Sequence, residues 1–129
     1  MSDKFTVEII SPEKSILKTE TNIVVIPSYE GEMSILKDHI PLITFLRPGF
    51  IKIKNENEKV FFVEDGTVEF SNNNLLVLTS TAIEFSKIDK NSLQDLIIEA
   101  EKKLNKNDTT DKEKYLLSYK IETLKNISQ

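Results

Sequence analysis

The chain reads as mainly β with a C-terminal α-helical hairpin: an antiparallel β-sandwich of about ten strands, then two antiparallel helices. Three observations predict this. Up to about residue 85, short apolar stretches alternate with polar ones, and turn residues interrupt them every ~8–12 positions, the rhythm of a sandwich. From residue 88 the apolar period becomes that of an amphipathic helix, and it does so twice. Residues 27–49 hold three of the four prolines, two of the three glycines, the only histidine (His39) and the only arginine (Arg47). Proline fixes φ and glycine permits positive φ, so this stretch is where the backbone must reverse repeatedly.

The elements follow in order. Phe5, Val7 and Ile9 alternate with Thr6 and Glu8, the mark of a half-buried strand. Ser11-Pro12-Glu13 ends it, and residues 15–17 form a short second strand. The β-branched run Ile23-Val24-Val25-Ile26, closed by Pro27, predicts a strand buried on both faces. Residues 27–49 then read as a loop, a short strand, a tight bend at Asp38-His39-Ile40-Pro41, another strand and a Pro48-Gly49 turn. Ile51 and Ile53 point inward and Lys52 and Lys54 outward. Turns at residues 55–58, at Asp65-Gly66 and at Asn72-Asn73-Asn74 separate the remaining strands.

Leu93, Leu96, Ile97, Ala100 and Leu104 share one face of a helix over residues 90–106, with Asp89 or Asn91 as its N-cap. Thr110 and Glu113 have capping-box spacing for a second helix, whose stripe is Leu116, Leu117, Ile121, Leu124 and Ile127. Ala100 lets the two helices approach closely, while Tyr115 and Tyr119 lie opposite the stripe and leave a second face for contact. Isolated helices this short are marginal in water, so their stripes must be buried against each other, the sandwich or a partner. The division predicted is a β-sandwich domain over 1–87 and a two-helix domain over 88–129. Charge divides the same way: nine basic against thirteen acidic side chains in the first part, eight of each in the second.

Composition excludes several functions. A net charge of −4 argues against nucleic acid as a partner, since phosphate binding requires clustered cations. No apolar run reaches the ~18 residues of a membrane helix, and the first residues lack the pattern of a signal peptide. Without cysteine there is no disulfide or thiol chemistry, so the chain is expected to be soluble and intracellular. With one histidine, no G-x-S-x-G and no phosphate-binding loop, nothing assembles a catalytic or metal site. His39 is a bend residue bonded locally or packed under Pro41, or else a partner contact. Glu30 and Glu32 flank Gly31 and read as a solvated loop.

The order Glu30-Gly31-Glu32, Ile35-Leu36, His39-Ile40-Pro41-Leu42, Pro48-Gly49, preceded by Val7, Ser11, Pro12 and Glu13, closely resembles the epsilon subunit of bacterial F-type ATP synthases. The resemblance extends over nearly the whole chain; Asp65-Gly66 and Ser34 depart from it where the family often has glycine. It implies a non-catalytic central-stalk subunit that couples proton translocation to ATP synthesis. Its implied partners are the gamma subunit, the c-ring and, through the hairpin, the alpha/beta catalytic head. Glu30, Gly31, Glu32, His39, Pro41 and Leu42 are the implied partner-binding residues. The implied location is peripheral, on the cytoplasmic face of the bacterial inner membrane, held there through the complex. The hairpin regulates hydrolysis in several members of the family.

Some members bind ATP through I-D-x-x-R-A. Here Ile88 and Asp89 match half of it, Ser92 and Leu93 stand for the Arg and Ala, and the second helix has only lysines. Lysine lacks the planar fork of arginine, so ATP binding is expected to be weak or absent, with Asp89 a cap and no cofactor or metal bound. Two alternative functions are an ATP-sensing regulatory module and a generic β-sandwich binding domain for carbohydrate or peptide.

Overall fold

The structure, a computed structural model, describes residues 3–127, with the backbone alone described at Ile127. Ten strands form one continuous sheet folded over on itself: β1 Phe5–Ile10, β2 Ser15–Thr21, β3 Ile23–Ser28, β4 Gly31–Leu36, β5 Leu42–Leu46, β6 Gly49–Lys54, β7 Lys59–Val63, β8 Gly66–Ser71, β9 Asn74–Leu78 and β10 Ile83–Glu84. A single turn of 3-10 helix, Phe85–Lys87, leads into α1 (Lys90–Leu104) and α2 (Asp111–Ile127). One layer runs β10-β7-β6-β3, with β4 also paired to β3; the other runs β5-β8-β9-β1-β2. The layers meet where Ser28 pairs with Leu46. That one bridge is flanked by the Tyr29 N–H donating to the Phe45 carbonyl (3.1 Å) and the Arg47 N–H donating to the Pro27 carbonyl (2.9 Å).

The alternation read from the sequence is what fills the interior. Phe5, Val7, Ile9, Val24, Ile26, Ile35, Ile51, Ile53, Phe70 and Val77 are all buried between the layers. Phe5 and Phe70 meet edge to face across the core, with ring centroids 5.6 Å apart. The turns use the residues their geometry demands. Asn72 and Asn73 both take positive φ (50° and 59°) in the two-residue β8–β9 hairpin, the left-handed pair that asparagine tolerates. Asp38 does the same at the bend (φ 66°) and is held there by Asn73. The Asn73 amide oxygen accepts the Asp38 N–H (2.7 Å), and its NH2 donates to the Asp38 carboxylate (3.0 Å).

Three expectations need correction. The sheet is antiparallel except at β1–β9, which run parallel with Val7 opposite Leu75. β2 extends beyond residue 17 to Thr21, its later half carrying the polar alternation Lys18-Thr19-Glu20 of an edge strand. The face with Tyr115 and Tyr119 is not left over: it docks the hairpin on the sandwich. Tyr115 stacks on Tyr29 (6.4 Å, planes 9° apart), and the Arg47 guanidinium lies 4.0 Å over the Tyr119 ring. Lys120, next to Tyr119 on α2, pairs with Glu64. α2 crosses β6 with one flank against α1 and the other against residues of the layer seam, so both flanks find partners.

The helix stripes otherwise fall where the wheel places them. Leu93, Ala100, Ile121 and Leu124 are buried, while Leu96, Ile97, Leu104, Leu116 and Leu117 are half-buried. The side chain of Ile127 lies outside the described residues. Phe61 and Phe62 divide the work of β7: Phe61 faces the sandwich interior and Phe62 faces outward to Leu93, Leu124 and Phe50. This layer is therefore covered on both sides.

Candidate docking surfaces

The residues singled out in the sequence fall into two groups at opposite ends of β4. Glu30, Gly31 and Glu32 form or follow the two-residue β3–β4 hairpin turn, where Ser28 is opposite Gly31. Gly31 has φ 131°, a conformation L side chains rarely adopt, and the Ser28 hydroxyl donates to its carbonyl (2.6 Å). Glu30 and Glu32 are both exposed. His39, Pro41 and Leu42 lie at the far end, about 20 Å away at the rise of an extended strand.

His39 is held locally. Its N–H donates to the Leu36 carbonyl (3.1 Å), and its Nδ1–H donates to the Ile40 carbonyl (2.7 Å), which fixes the tautomer because a carbonyl can only accept. Its ring packs edge-on against Phe70 (5.9 Å). Ile40, beside it, is 74% exposed.

Three further residues, Ile43, Phe45 and Leu78, carry a second surface. On the outer face of the second layer, one transverse row runs Phe45–Thr67–Leu78–Ile10 and the next Ile43–Glu69–Leu76–Glu8. Ile43 is 72% exposed, Phe45 59% and Leu78 46%. Exposed aliphatic and aromatic side chains gathered on one sheet face mark a protein-binding surface. A cleft of about 760 Å³ crosses the first row, lined by Tyr29, Phe45, Gly66, Leu78 and their neighbours. The signal was present in the sequence: residues 42–46 and 75–78 are apolar at nearly every position, so whichever face meets the core, the other is apolar too.

Among the described residues no three His, Cys, Asp or Glu side chains gather where they could hold a metal. Ile88 is half-buried under the hairpin. Asp89 is the N-cap of α1: one carboxylate oxygen accepts the Ser92 N–H (2.7 Å) and the other the Ser92 hydroxyl (3.1 Å). The Ser92 N–H, then its hydroxyl, hold the Asp89 carboxyl below its ordinary value of 3.8, against a small opposing effect of burial. A lowered carboxyl pKa makes the cap fully effective above about 3.8 and removes it as pH falls through the lowered value. The protection of the Ser92 amide, its exchange rate relative to an unstructured peptide at the same pH, should therefore persist at neutral pH and fall only in acid. Asp89→Ala should lack that protection at every pH, and an unchanged Ser92 amide in that variant would refute the capping role. The second cap is also built: the Thr110 hydroxyl accepts the Glu113 N–H (3.1 Å) and donates to its carboxylate (3.0 Å).

No helix among the described residues is long and apolar enough to cross a membrane. The family described as ATP synthase, Delta/Epsilon chain, beta-sandwich domain matches residues 4–85. An ATP synthase epsilon chain of Pelagibacter ubique is 49% identical over 99% of this chain and 100% of its own length. That of Parvibaculum lavamentivorans is 31% identical over 98% and 97%. A solved chain in the Euglena gracilis mitochondrial ATP synthase, in its OSCP/F1/c-ring assembly, has the same fold: TM-score 0.83 at 19% identity, over all of this chain and 84% of that one.

Proposed function

The chain belongs to the epsilon-chain family of ATP synthases and is a non-catalytic subunit of their rotor, and we propose which of its surfaces meet the rest of that machine. The gamma subunit binds the outer face of the second layer, along Ile43, Phe45 and Leu78, continuing onto the bend at His39, Ile40, Pro41 and Leu42. The observation that carries this is the exposure of three large apolar side chains on one otherwise regular sheet face. The opposite end, the Glu30-Gly31-Glu32 turn, rests on the c-ring, where its carboxylates set orientation and encounter more than affinity.

Residues 1–87 then act as the rotor-binding domain and residues 88–129 as a regulatory one, reaching the catalytic head when released. Rotation of the ring, driven by protons, passes to the shaft through the sandwich, whose close-packed interior resists deformation. The subunit sits peripherally on the cytoplasmic face of the bacterial inner membrane. The nucleotide-sensing alternative finds less support, since both oxygens of Asp89 are already engaged by Ser92.

Two substitutions at exposed positions test the two surfaces separately. Ile43→Asp should abolish co-purification with the gamma subunit from solubilised membranes, because it places a charge in the middle of an apolar contact. Glu32→Lys should leave the assembly intact but lower ATP-driven proton pumping relative to hydrolysis. Normal recovery of Ile43→Asp with gamma would refute the first assignment, and normal pumping by Glu32→Lys the second.

A further inference from the structure

We propose that the seam between the two layers couples partner docking on the Phe45 row to docking of the helical hairpin, with Tyr29 as the residue both events use; this rests on the reading of that row as the gamma-binding face. The seam is three residues deep on each side, 27–29 against 45–47. Side chains leaving it alternate in direction. Phe45 points out to the row, Leu46 is buried in the core, and Arg47 lies against α2 over the Tyr119 ring.

Tyr29, bonded to Phe45 through its N–H, lines the cleft beside Phe45 and Leu78 and also stacks on Tyr115. Tyr115 meets Tyr119 edge to face at 4.9 Å, and Arg47 covers Tyr119. The contacts thus close a circuit: Tyr29, Tyr115, Tyr119, Arg47, and back along the hydrogen-bonded seam to Tyr29.

A half-exposed tyrosine with no neighbour samples several rotamers, and a partner that packs against it must freeze one of them. Stacking on Tyr115 has already done so. Hairpin docking therefore prepares Tyr29 for the partner, and a partner group filling the cleft holds Tyr29 for the hairpin. The effect must be equal in the two directions, because it is a coupling free energy between two binding equilibria. Immobilising one such side chain corresponds to about a two- to tenfold change in affinity.

The test measures the equilibrium affinity of purified gamma subunit for the full chain and three variants. Ile43→Asp, outside the circuit, should abolish binding. If it binds normally, the row is not the gamma face and the coupling falls with that reading. With binding lost in Ile43→Asp, Tyr115→Ala should weaken gamma about two- to tenfold, although its side chain is on a helix and not on the row. Lys120→Ala, which removes the ion pair with Glu64 but keeps the hairpin docked through the Tyr29–Tyr115 stack, should bind as the unchanged chain does. Equal affinity in Tyr115→Ala and the unchanged chain would overturn the coupling and leave the docking face standing; equal weakening in Lys120→Ala and Tyr115→Ala would overturn the role of Tyr29. In the isolated Tyr115→Ala chain the main thermal transition should stay in place, showing that an affinity loss does not come from unfolding.

Discussion

Phe62→Ala should destabilise the protein by about 3–5 kcal/mol, the usual cost of removing a buried phenylalanine ring, and lower its melting temperature by about 10 °C or more. Phe62 is fully buried, yet it is not part of the sandwich interior; it is the floor on which the hairpin stands. Leu93 of α1, Leu124 of α2 and the Phe50 ring (6.4 Å away) all meet there. The loss should therefore be felt first by the helices, as early proteolysis between β10 and α1 and loss of helical ellipticity ahead of the β signal. Phe70→Ala, with a cost of similar size, should instead unfold both together, since Phe70 lies between the layers against Phe5. A simultaneous transition in Phe62→Ala would show that the helices are not a separately loosened layer. The same ring bears on any comparison of hydrolysis rates with residues 88–129 removed: truncation bares Phe62 and Phe50, so the shortened protein needs a polar residue at 62 to remain monodisperse.

Gly66→Val is the second large effect, expected at about 2–5 kcal/mol from two sources. Gly66 begins β8 at φ 147°, a conformation that disfavours any Cβ and a branched one most. A Cβ built there would lie 2.7 Å from the Leu78 carbonyl oxygen and 3.1 Å from Leu46 Cδ1. Backbone on one side and a buried side chain on the other leave nothing that can yield cheaply. Because Gly66 pairs with Leu46 and lines the cleft, the distortion should reach the docking row, so gamma binding should weaken even in molecules that still fold. Chemical denaturation gives the stability loss; a value within 0.5 kcal/mol of the unchanged chain, the size of an ordinary surface substitution, would show that the turn adapts.

Much of the architecture was legible because it is written locally. Period-two alternation located β1 and β6, the β-branched run located β3, and the Thr110–Glu113 spacing located a cap that the structure builds. Asparagine and glycine marked turns because their chemistry tolerates positive φ, as Asn72, Asn73 and Gly31 show. What stayed hidden is relational. No local pattern says that β1 pairs with β9, or in which direction. The polar half of β2 resembles loop sequence because an edge strand has little interior to face.

Which of the apolar side chains stay on the surface was hidden for a related reason. Helical periodicity shows that Tyr115 and Tyr119 share a flank of α2 but not that Tyr29 and Arg47 wait beneath it. Apolar residues such as Ile43, Phe45 and Leu78 read as core until the sheet shows which face is already occupied. The acidic turn and the histidine bend sit close in sequence, but the strand between them holds them apart.

The parallel pair has a consequence for how the molecule is made. β1 leaves the ribosome first, and one of its edges finds β2 at once, but the other must wait for β9, the ninth strand to be synthesised. Until then the nascent chain carries an apolar strand with an open row of donors and acceptors, the kind of edge that recruits stray strands. Closing so long a loop is slow relative to forming a hairpin, so the β1–β9 pairing should form later than the hairpins beside it. A rotor part assembled in this order becomes rigid only when its strand-forming sequence is nearly complete, and it is then that its binding faces first exist.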